Sequence, residues 1–87
     1  MTKIIDANQR KQIGYRLKAV RAVLGMQQAE FSKALGIAQS ACSNLELGKV
    51  DLPLSIALTL SERRNVNPAW LLLGDGEMMA KGTNSRG

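Results

Sequence analysis

The chain has 87 residues, 45% of them apolar, which suffices for one modest folded domain and excludes a disordered chain. It has one cysteine and no histidine, so an intrachain disulfide, a thiolate metal cluster and imidazole acid–base chemistry are all excluded. The net charge of +5 sits at one end. Up to residue 25, Lys3, Arg10, Lys11, Arg16, Lys18 and Arg21 face the single acid Asp6, and the later bases and acids cancel. A positive field so placed suits a phosphate-bearing partner. With only Tyr15, Phe31 and Trp70 as aromatics, the core must be aliphatic, which favours helices over strands.

In chain order, residues 1–8 read as a lead-in, with Asp6 or Asn8 as a helix cap. Ile13, Leu17, Val20 and Leu24 then recur at steps of four, three and four, the inner face of a first helix ending at Gly25. A second helix fits Gln28 to Leu35, with Gly36 leaving it in a left-handed turn. A third fits Gln39 to Leu47. Its Cys42 and Leu45 face inward, its Gln39, Ser40, Ser43 and Asn44 face outward, and Gly48 stops it. Pro53 stands at the first turn of a fourth helix whose inner face is Ile56, Ala57 and Leu60. Asn67-Pro68 starts a fifth, through Trp70, Leu71 and Leu73 to Gly74. No strand pair is expected. Residues 9–79 are read as one all-α, five-helix domain and 80–87 as a flexible tail. Trp70 is expected as a core anchor. Leu72, Met78 and Met79 are left over as a candidate dimer patch.

The informative stretch is Gln28 to Leu47. Two helices around a glycine turn form a helix-turn-helix. Its angle needs small Ser32, permissive Gly36, and apolar Phe31, Leu35, Ile37, Cys42 and Leu45. Every one of these positions complies.

The run from Gln28 to Gly48 resembles the lambda-repressor-like (Cro and phage-repressor) helix-turn-helix family. The specific features are Gln28, Gly36, the Leu45-Glu46-x-Gly48 ending and the Asn67-Pro68-x-Trp70-Leu71 helix. The likeness covers residues 10 to 78. It implies a compact five-helix DNA-binding domain and gives residues roles. Gln28, with the backbone N–H groups around it, would hold a phosphate. Gln39, Ser40, Ser43 and Asn44 match base-reading positions, and amide side chains pair with adenine edges. Lys49 matches a backbone contact, and Arg21 and Glu46 match a brace between the first and third helices. Arg16 and Lys18 are peripheral phosphate candidates. Three departures from the pattern stand out. Ala38 and Gln27 occupy cap positions usually held by better capping residues, and Cys42 stands where Val or Ile is usual. With no arginine on the reading face, an A·T-leaning core site is expected.

The implied function is a sequence-specific transcriptional regulator of phage or prophage-repressor type. It would bind double-stranded operator DNA as a homodimer on a palindrome. An antitoxin or restriction-operon controller uses the same fold, and a helical protein-interaction module without DNA contact is the rival of another class. No catalytic residue, cofactor, metal or small-molecule substrate is expected, since no phosphate-binding glycine loop or paired-carboxylate cluster is present. No apolar run approaches the roughly 20 residues of a membrane span and no signal peptide is evident, so a cytoplasmic protein is expected.

Overall fold

A computed structural model describes residues 6–80. They form five helices in the order expected: α1 (Ala7–Val23), α2 (Gln28–Leu35), α3 (Gln39–Glu46), α4 (Leu54–Arg64) and α5 (Pro68–Leu73). The chain divides into two compact units, Met1–Leu52 and Pro53–Gly87.

In the first unit, α1 starts two residues earlier than the expected lead-in allowed. Asp6 caps it by accepting from the Gln9 backbone N–H at 2.8 Å, and the Gln9 side chain accepts from the Asp6 N–H at 3.0 Å. This reciprocal box satisfies two N–H groups that a helix start otherwise leaves unpaired. Ile13, Leu17 and Val20 are buried along one face, as their spacing predicts, while Leu24 caps the helix half-buried.

The α2 start recovers part of a cap by other means: the Gln27 N–H donates to the Glu30 carboxylate at 3.2 Å. Gly36 leaves α2 in the left-handed region at φ 74°. Two backbone bonds back to α2 close the turn, Gly36 to the Lys33 carbonyl and Ile37 to the Ser32 carbonyl. A side chain at that φ is strained, so the turn needs glycine. Ser32 is buried and its hydroxyl donates to the Ala29 carbonyl of its own helix at 2.9 Å. Phe31, Cys42 and Leu45 are buried too, whereas Leu35 and Ile37 are half-buried. No side chain caps α3, whose cap residue is Ala38.

In the second unit, Pro53 is the cap residue of α4 rather than its first helical residue. Its carbonyl accepts from the Ile56 N–H at 3.0 Å. Ile56, Ala57 and Leu60 are buried. Asn65 ends α4 in the left-handed region, and Asn67 caps α5 by accepting from the Ala69 N–H at 3.0 Å.

After α5 the chain forms no strand among the described residues, as the sequence predicts. It returns antiparallel to 65–67 through an isolated bridge, Val66 to Met79. The Asn67 N–H donates to the Met78 carbonyl and the Ala80 N–H to the Asn65 carbonyl, both at 2.7 Å. The contact stays a single bridge and builds no strand pair. Leu72, Met78 and Met79 are half-buried. The large apolar side chains exposed in this unit are Leu54, Leu58 and Leu73. Trp70 is half-buried; the fully buried side chain of α5 is its neighbour Leu71. Of the expected flexible tail, residues 81–87 lie outside the described residues, as do residues 1–5 of the lead-in.

Candidate nucleic-acid interface

The helix α3 has two faces with different tasks. Cys42, Leu45 and Glu46 are buried, which leaves the opposite face free. On it Gln39 and Ser40 are exposed, and Ser43 and Asn44 are half-buried. Lys49, just beyond the helix, is exposed. These spacings of one, three and four keep the four polar side chains on one side of a helix. They can donate and accept hydrogen bonds.

Beneath this face lies a polar network centred on Glu46. Its carboxylate accepts from Arg21 twice, from Nε at 2.7 Å and from Nη2 at 3.2 Å. The third Arg21 bond runs from Nη1 to the Met26 carbonyl at 3.2 Å. The geometry is the bidentate fork that matches guanidinium to carboxylate. The Glu46 side chain is 4% exposed, so water screens this pair little. The hydrogen bond to Glu46 raises the Arg21 pKa above its already high ordinary value. Arg21 comes from the end of α1, and the pair therefore ties α1 to α3.

The network continues outward. Gln28 Nε2 donates to Glu46 at 3.1 Å, and Gln28 Oε1 accepts from Gln39 Nε2 at 3.5 Å. Gln28 is thus the link between the buried pair and the first residue of the exposed row. Its amide nitrogen is engaged by the protein's own carboxylate, which holds the side chain in place at the start of α2. The Cys42 thiol also approaches Glu46, at 3.7 Å. Burial first, and the neighbouring carboxylate second, push this thiol up to about 11.

Two glycines outside the expected site control the α1–α3 distance. A Cβ on Gly14 would lie 2.5 Å from the Glu46 carbonyl oxygen and 2.7 Å from that of Leu45. A Cβ on Gly48 would lie 2.7 Å from the Lys11 Cα. Backbone therefore meets backbone at both ends of this contact. The only hint of this in the sequence is a glycine inside an otherwise regular helical pattern, which points to close backbone packing.

This approach opens a groove of about 250 Å³ between α1 and α3, lined by Lys11, Tyr15, Lys18, Arg21, Gln28, Ser43, Glu46 and Leu47. Of the two peripheral candidates on α1, Lys18 lines the groove and the half-buried Arg16 is not among its lining residues. Lys11 and Tyr15 were not singled out by sequence, although Lys11, Tyr15 and Lys18 share one helical face at steps of four and three.

Among the described residues no cluster of histidine, cysteine or carboxylate side chains could hold a metal ion. No helix among them is long and apolar enough to cross a membrane. No solved structure matches the chain at a significant level. A family model described as a helix-turn-helix domain matches residues 14–77, which takes in the glycine turn, the buried Glu46 and the start of α5. The chain therefore belongs to the helix-turn-helix domain family, a class of DNA-binding fold.

Proposed function

We propose that this protein is a sequence-specific transcriptional regulator of phage or prophage-repressor type, acting in the cytoplasm as a homodimer on a palindromic operator. The observation that carries the reading is the division of α3. Its inner face is locked by Cys42, Leu45 and the Arg21–Glu46 pair, and its outer face presents Gln39, Ser40, Ser43 and Asn44. A helix held rigidly with a narrow polar face outward is what the major groove admits.

In this reading Gln39 and Asn44 read adenine edges, Ser40 and Ser43 add single hydrogen bonds, and Lys49 and the start of α2 at Gln28 hold phosphates. Gln39 is held through Gln28 and Glu46 before DNA arrives, which lowers the ordering cost of the contact. Regulation follows from occupying a promoter, and no catalytic step is required.

The test is selection from a random duplex library at near-physiological salt. Enrichment of a short palindrome with half-sites about one helical turn apart supports the proposal; enrichment of nothing overturns it. On the enriched site, Asn44→Ala should lose about 1–3 kcal/mol and relax one base position. Lys49→Ala should weaken all sequences alike.

A further inference from the structure

The helix α1 carries Arg10, Lys11, Arg16, Lys18 and Arg21 and no acidic residue. Lys11, Tyr15 and Lys18 form one exposed line along it, and Tyr15 is 64% exposed. That line is one wall of the α1–α3 groove, and Ser43 and Leu47 of the α3 region form the other. The single carboxylate lining the groove, Glu46, is occupied by Arg21 and Gln28. Its charge is spent on Arg21. Lys11 and Lys18 have no ion-pair partner among the described residues, so the groove keeps two uncompensated positive charges. Gly48 sets the loop after α3 directly on Lys11, and Lys49 follows at once. A further cation therefore follows in sequence directly after the point where this loop meets α1.

We infer that the wall of Lys11, Tyr15 and Lys18 is a second contact surface for the DNA backbone, taking phosphodiesters that flank the bases met by α3. The inference rests on the DNA-binding reading above and extends it to residues outside the helix-turn-helix. Ser43 belongs both to the outward row of α3 and to the groove, so a strand followed along that row passes over the groove. There the two ammonium groups meet phosphate oxygens as point charges, and the Tyr15 hydroxyl donates a hydrogen bond. The ligand is a phosphodiester chain rather than a free anion because the cations are spread over two helical turns.

The experiment compares the wild-type chain with the double variant Lys11→Gln/Lys18→Gln on the selected duplex, from 50 to 200 mM salt. Each lost phosphate contact flattens the log–log salt slope by about 0.9, so the four lost from two chains on one palindrome flatten it by about 3.6. Wild-type affinity should then fall about 150-fold more over this range than that of the variant. Base preference should stay unchanged. Ethylation of individual phosphates supplies a readout tied to position. Interference at phosphates flanking the half-site should appear with wild type and vanish with the variant. If wild type binds but slope and interference are the same in both proteins, the inference is overturned and the DNA-binding reading stands. If wild type binds no duplex in a salt-dependent way, the reading itself fails and takes the inference with it.

Discussion

Glu46 is a charged residue on the buried face of an amphipathic helix. Burying a carboxylate is costly unless its oxygens are satisfied. Here both oxygens receive a guanidinium nitrogen, one of them also receives the Gln28 amide, and the other receives the Cys42 thiol. Removing one partner of such a pair leaves the other charge stranded. Glu46→Ala should therefore cost about 3 kcal/mol of unfolding free energy in a urea titration. The same change should loosen Gln28 and Gln39, so affinity for the selected site should fall even where the variant is fully folded. Cys42 makes a second prediction. Its pKa lies at about 11 against an ordinary 9.0, because burial disfavours the thiolate. At pH 8 the protonation difference alone makes it about 100-fold less reactive toward a thiol reagent than an exposed cysteine, and unfolding in urea should abolish that protection. The folded state holds its proton to higher pH than the unfolded chain does. Its contribution to stability is thus constant below about pH 9 and is lost as pH rises from there toward 11. Rapid labelling of the folded protein at pH 8 would show that the thiol is neither buried nor neutral.

The joining of α1 to α3 depends on glycines as well as on side-chain contacts. In an exposed helix, alanine in place of glycine gains about 1 kcal/mol. At Gly14 the sign should reverse, because the added methyl meets two backbone carbonyls of α3 that cannot rotate away. Gly14→Ala is expected to lose about 2 kcal/mol, an overpacking cost, read from the denaturation midpoint. A rise in stability would mean that α1 and α3 are not in this contact. At Gly36 the reason for glycine is different, since a Cβ there would meet nothing within 4 Å but the φ of 74° disfavours any side chain. In the second unit the return of Met78–Ala80 onto 65–67 satisfies the backbone N–H groups of Asn67 and Ala80. Hydrogen-bond need, rather than local propensity, holds that segment in place.

For the whole molecule, the proposed repressor-type reading requires two copies on one operator, because a palindrome presents the same half-site twice. Native mass measurement on the selected duplex should find two chains per site. A duplex carrying only one half-site should bind markedly more weakly, and a one-to-one complex on the full palindrome would sink the homodimer. Leu54, Leu58 and Leu73 are large exposed apolar side chains of the second unit, and the expected patch of Leu72, Met78 and Met79 is half-buried, so mutations aimed at assembly should sample both sets.

The five helices, their glycine stops, the buried stripe of Ile13, Leu17 and Val20, and the outward row on α3 were legible in the amino-acid order. They depend on periodicity, caps and left-handed turns, all of which act over a few neighbouring residues. The Arg21–Glu46 pairing was legible only through family likeness, because nothing local ties residues 25 positions apart. Tertiary structure alone decided the rest. It pressed Gly14 and Gly48 against facing backbone, bound Gln28 to Glu46, opened the groove that gathers Lys11, Tyr15 and Lys18, and folded Met79 back to Val66. Each of these requires segments distant in sequence to meet at a particular separation, and that separation is set by packing, on which no single stretch of chain carries the information.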